Sequence, residues 1–167
     1  MTSSARHPDL VAEWRRAAAA PEVGAELVSI FAGIAGEVAA RAPSCWASGR
    51  CCHFERAGHR LYATGLETAY TLARLERPLS LSALDHAVAS GGCPFQTRNL
   101  CTVHAIKPIG CRVYFCDTTL GAWAEELAER MHRRIAELHD RFDITYHYAE
   151  WRSMLALFVD TEPPSQP

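Results

Sequence analysis

A mostly α-helical, single-domain fold is predicted by three observations. Apolar residues recur at three- and four-residue spacings in both flanks of the chain. Helix-start and helix-stop signals bound those stretches. A cysteine-rich run at 93–116, interleaved with Pro94, Pro108 and Gly110, reads as turn or short loop. The expected architecture is a small helical fold clamping an irregular cysteine-rich metal-binding loop region. We read residues 1–167 as one domain, with the motif-bearing part at 45–116 and helical flanks at 8–41 and 118–158. That length suits one domain with its own core, and neither an internal repeat nor a composition break suggests a second.

The first helix has Pro8 at an early position and continues through DLVAEWRRAAAA, and the second opens at Pro21 and stops before Pro43. In the second, Val23, Leu27, Ile30, Phe31, Ile34 and Val38 form one stripe that asks for burial. Residues 43–60 read as loop, and the LYA that follows as a strand at most. Thr64 and Glu67 make a capping box for LETAYTLARLE. Ser82 with Asp85 repeats the idea for ALDHAVAS, which stops at Gly91-Gly92.

Beyond the cysteines, Leu120, Trp123, Leu127, Met131, Ile135, Leu138 and Phe142 trace a stripe over about five or six turns, capped by Asp117 or Thr118. His132 and His139 fall near its charged side and read as solvated. Tyr148, Trp151, Met154, Leu155 and Phe158 predict a last helix with Tyr148 and Trp151 in the core, and EPPSQP reads as a frayed tail.

A net charge of -2 leaves no global basic field, so nucleic acid is not an expected partner. The N-terminus has no apolar signal core, and Glu26 and Glu37 interrupt the apolar stretch from Ala25 to Ala40; neither a signal peptide nor a membrane span is expected. The expectation is a cytoplasmic protein with a redox or protein partner of undefined identity and no membrane contact. No Gly-rich phosphate loop, H-E-x-x-H, nucleophile elbow or G-x-G-x-x-G occurs, so nucleotide, zinc-protease, hydrolase and dinucleotide readings have no support.

The chemistry is concentrated in the cysteines. Cys51, Cys52, Cys93, Cys101, Cys111 and Cys116 lie in the central segment, and Cys45 stands just ahead of them. Seven is a poor count for a disulfide framework in a reducing compartment, and Cys51-Cys52 could pair only as a strained vicinal bridge. Metal ligation asks for about four ligands converging from loops, and Pro94, Pro108 and Gly110 supply the irregular backbone. All seven are candidate metal ligands and the six from Cys51 onward the candidate cofactor-binding set; the bland alternative is a small buried hydrophobe. Because one zinc needs only four thiolates, the surplus favours an iron-sulfur cluster of the 4Fe-4S type, with zinc as the alternative. Arg50, Arg56, Arg98, Lys107 and Arg112 can offset thiolate charge, though each of the first four reads rather as solvating the loop surface. His104 reads as a donor to a thiolate or a packed side chain, His53 and His59 as exposed loop residues, and Trp46 as a solvent shield.

The order of these residues resembles the CxxCxxCC, or YkgJ-like, cysteine-cluster family, described as zinc- or iron-chelating domains. CWASGRCC matches the family's first half at Cys45, Gly49, Cys51 and Cys52, with Ser48 where another cysteine is expected. Cys93-Pro94-Phe95, Cys101-Thr102-Val103-His104, Lys107-Pro108, Cys111-Arg112 and Cys116 follow the second half in order, Lys107 replacing the usual arginine. Over 45–116 the resemblance implies a chelated metal with one of the usual ligands missing at Ser48. The expected function is an iron-sulfur protein with a redox or catalytic role; the alternative is a zinc-stabilised interaction module without chemistry of its own. Thiol-disulfide exchange ranks last, because no C-x-x-C is present.

Overall fold

A computed structural model describes residues 7–44 and 49–159; the positions assigned above to Cys45, Trp46, Ser48 and the terminal tail lie outside the described residues. The fold is mostly helical. Helix α1 (His7–Ala19) and helix α2 (Pro21–Arg41) meet at Ala20, with Pro21 at the start of α2 and its missing N–H among groups that would lack a helical partner anyway. α2 ends where Ala42 turns left-handed (φ 49°) and its N–H reaches Val38 O. Val23, Leu27, Ile30, Phe31 and Ile34 are buried as the stripe requires. By length and composition α2 could cross a membrane. Here its apolar stripe joins the main core, and its Glu26 and Glu37 pair with Arg141 and Arg130.

Those arginines sit on helix α7 (Gly121–Arg141), whose Leu127, Met131, Ile135 and Leu138 face α2 and the core. Asp117 caps a 3-10 turn over Thr118–Leu120 that leads into α7, accepting from Thr119 N at 3.0 Å. His139, expected on the solvated side, is instead buried. The chain reverses at Asp143 (φ 50°) and lays Ile144 over the end of the helix, so His139 Nδ1–H donates to Ile144 O at 3.1 Å.

The middle of the chain is less regular but not structureless. Residues 43–60, expected as loop, hold a 3-10 turn at Arg50–Cys52 and the short helix α3 (Phe54–Ala57). Strand β1 (Tyr62–Thr64) leads into helix α4 (Gly65–Leu72), and helix α5 (Leu81–Ala89) follows. The capping box at Thr64 and Glu67 forms as expected. At α5 the cap is Ser80 and not Ser82: Ser80 Oγ accepts from Ala83 N at 3.2 Å. Within 93–116, β2 (Gln96–Thr97) and β3 (Leu100–Cys101) form a hairpin, and helix α6 (Ile109–Arg112) follows. Arg98 and Asn99 both have positive φ, which is the type I′ turn that matches strand twist.

Strand β4 (Tyr148–Glu150) precedes helix α8 (Trp151–Val159). Tyr148, expected on that helix and in the core, lies on the strand and is exposed; β4 pairs antiparallel with β1, Thr64 opposite Tyr148 and Tyr62 opposite Glu150. The pairing continues past both ends through Gly65 N to His147 O and Trp151 N to Leu61 O. Two core clusters result. One joins α1, α2, α4 and α7; the other, with Phe54, Leu61, Phe95, Val103 and Trp151, carries Cys93, Cys101 and Cys111 on its edge.

α1 and α4 approach so closely that a Cβ on Gly65 would lie 2.2 Å from the Trp14 ring. Trp14 is fully buried and its Nε1–H donates to Thr145 O at 2.8 Å, so the ring has nowhere to retreat. Gly65→Ala is expected to destabilise the fold by about 1–3 kcal/mol through overpacking. A urea titration checks this, and an unchanged midpoint would contradict the packing.

Candidate metal centre

Three separate pieces of chain bring the cysteines together. The first is the Arg50–Cys52 turn, entered through Gly49 at φ 69°. A side chain on Gly49 would strike Gln96 Nε2 and Asn99 O, so only glycine lets this turn rest against the β2–β3 hairpin; Gln96 Nε2–H donates to Gly49 O at 2.9 Å. His59 supports the turn from behind. Its Nε2–H donates to Cys51 O at 3.1 Å, and its ring stacks on Tyr114 with centroids 4.0 Å apart. It is half-buried where an exposed loop residue was expected, and burial lowers its pKa.

The second piece is the hairpin, with Cys93 before β2 and Cys101 at the end of β3 opposite Gln96. Thr102 closes it, its N–H and Oγ1–H both donating to Phe95 O at 2.8 and 2.9 Å. The third is α6. Pro108 starts it, Cys111 lies in it, and Cys116 follows it. Glu67 holds the start of α6: its Oε1 accepts from Ile109 N at 2.7 Å, while Oε2 accepts from Thr64 N and Thr64 Oγ1. Thus the buried capping residue of α4 also positions the helix that carries Cys111.

Cys51, Cys52, Cys93, Cys101, Cys111 and Cys116 all line one cavity of about 570 Å³. Cys52 is buried and the other five are partly open. Four of the thiols act on one another. Cys52 is pushed far above the ordinary thiol range by the thiols of Cys101, Cys51 and Cys93, and then by burial. In return its S–H holds the others down: Cys51 falls to about 6 and Cys101 to about 7, and Cys93 is also lowered. Cys52 therefore keeps its proton and favours the ionised form of its neighbours.

Backbone and indole donors reinforce this. Phe95 N–H and the Trp151 side chain donate to Cys93, and Val103 N–H donates to Cys101. Cys111 behaves differently: burial pushes its thiol up, and the neighbouring Cys93 adds to the effect. Among the described residues, no three His, Cys, Asp or Glu side chains already stand as a metal-holding group. Both observations fit one arrangement, in which the sulfurs gather on Cys52 and not around a shared point. Loading a metal requires Cys52 to lose its proton and the sulfurs to turn inward to ~2.3 Å from the ion.

Of the five cations expected near the thiolates, Lys107 and Arg112 line the cavity. Lys107 lies close enough to favour ionisation of Cys51, Cys101 and Cys111. Arg112 braces the loop as well as contributing charge. Its Nε–H and Nη2–H donate to Lys107 O and Ala105 O, both at 2.7 Å, and its guanidinium sits 4.0 Å from the Phe31 ring centroid. Arg98 occupies the hairpin turn and Arg56 the exposed face of α3; neither they nor Arg50 line the cavity.

His104 is exposed at the cavity and not packed. Lys107, then burial and Arg112, holds it below its usual range, which keeps it neutral. Two contributors escaped the sequence: Trp151, read only as core, and the last turns of α2, which also line the cavity. Neither has a local signal, because each reaches the cavity only through tertiary packing.

No family model, curated protein or solved structure matches this chain.

Proposed function

We propose that the protein binds an iron-sulfur cluster in the cysteine-lined cavity and serves a redox or catalytic role in a reducing, cytoplasmic setting. What carries the reading is the convergence of six cysteines from three separated segments on one cavity. Among the described residues no Asp or Glu lines the space, and its six thiols are the soft donors, beside the oxygens of Ser44, Asn99 and Tyr114 and the imidazole of His104. Cys51, Cys52, Cys93 and Cys101 are the first ligand candidates because they already act on one another; Cys111 and Cys116 line the same cavity. The N–H groups aimed at Cys93 and Cys101 are of the kind that tune cluster potential. The metal-chelating expectation attached to the motif order agrees with this reading.

Zinc is the second reading, because the four thiols gathered at Cys52 would equally complete a closed structural zinc site. Anaerobic purification followed by iron, sulfide and zinc analysis and a visible spectrum separates the two. The proposal expects equimolar iron and sulfide with a broad visible absorbance bleached by reductant. Colourless protein with one zinc per chain and no sulfide would replace it with the zinc-stabilised module.

A further inference from the structure

The cavity is larger than a metal centre needs. Ligand atoms close to within ~2.3 Å of a metal ion, whereas this space, about 570 Å³, falls in the range of small-molecule pockets, about 300–1,000 Å³. The cysteines form only part of its wall. The last turns of α2 also line it, where Ala35 and Ala39, one turn apart, present methyl groups in place of larger side chains. Leu100 at the tip of β3 and Phe115 extend that apolar wall, and Leu100 is 61% exposed.

The charges lining the cavity restrict what can enter. Among the described residues no Asp or Glu contributes to the lining, and Lys107 and Arg112 are its only lysine and arginine. A divalent metal or a cluster of equivalent charge on four thiolates carries roughly -2. The two cations balance it. A charged guest would then give up its hydration with no net opposite charge to receive it.

From this space, this wall and this charge balance we propose that the cavity also admits an uncharged, apolar small molecule, seated against the last turns of α2 beside the cysteines. The selectivity for uncharged guests rests on the metal-centre reading through the charge assigned to the thiolates; the apolar wall does not. Isothermal titration of the protein as isolated with 1-octanol, octanoate and octylamine tests it, with metal content measured on the same samples.

The expected result is saturable binding of 1-octanol, with octanoate and octylamine weaker by about tenfold or more. Ala39→Trp, which fills the wall from an exposed helix position, should abolish binding while metal content and helicity stay unchanged; Ala35→Phe serves if that variant misfolds. Absence of saturable binding, octanoate or octylamine binding as well as 1-octanol, or persistence of binding in a folded wall variant would overturn the proposal. Selective 1-octanol binding by protein that carries no metal would leave the apolar site standing and overturn the charge balance with a metal centre as the source of its selectivity.

Discussion

Cys52→Ala is expected to abolish the metal binding proposed for the cavity and, in metal-free protein, to slow alkylation of Cys51 at pH 7 by about tenfold. The sign follows from the thiol arrangement. The Cys52 S–H is the largest influence lowering both Cys51 and Cys101, which titrate at about 6 and about 7. Without it burial is less opposed, both thiols move up toward their ordinary range, and the thiolate fraction at pH 7 falls. The depressed thiols favour the folded protein above their unfolded pKa, and that contribution is lost as pH falls through 7 and 6. Mass-spectrometric mapping of alkylation against pH reads the shift directly, and metal analysis reads the loading. A Cys51 that still reacts half-maximally near pH 6 in Cys52→Ala would show that its activation comes from elsewhere.

The second large effect is expected at Glu67. This side chain is 2% exposed, and its two oxygens serve two helices: α4, through Thr64, and α6, through Ile109. Glu67→Ala leaves the N–H groups of Thr64 and Ile109 without acceptors in a buried place. At about 1–3 kcal/mol for each of the two orphaned groups, a loss of about 2–6 kcal/mol in unfolding free energy is expected. Glu67→Gln recovers part of it, because the amide keeps one acceptor oxygen but turns an NH₂ toward a donor. Beyond stability, the start of α6 is released, so Cys111 should become reactive in native protein. Denaturant unfolding and native-state alkylation check the two halves. A Glu67→Ala protein within 1 kcal/mol of the parent would mean that water replaces the carboxylate at both N–H groups.

The long helices were legible because their stripes answer to one local rule: Leu127, Met131, Ile135 and Leu138 are buried for the same reason that they recur. The Thr64–Glu67 box was equally local. Its further reach to Ile109 was not, since nothing near Glu67 in sequence announces α6. Ser80 and Ser82 offered the same chemistry two residues apart, and only the observed bond from Ala83 N to Ser80 decides between them. Tyr148 fits a helical spacing with Trp151 and Leu155, yet pairing with Thr64 draws it into a strand. His139 is buried by a chain reversal at Asp143 that no pattern marks. For the site, motif order named the six cysteines. Their division into four interacting thiols plus Cys111 and Cys116, and the wall supplied by α2, depend on contacts between distant segments.

The β1–β4 pairing sets an order of assembly during synthesis. All six cysteines of the cavity leave the ribosome before β4 and Trp151, which are joined to β1 by the bond from Trp151 N to Leu61 O. Until those last residues arrive, the thiols stand in a half-built cleft whose non-local contacts form late. The nascent chain thus passes through a stage at which its cysteines are most accessible and least organised, and completion of the C-terminal helix ends it.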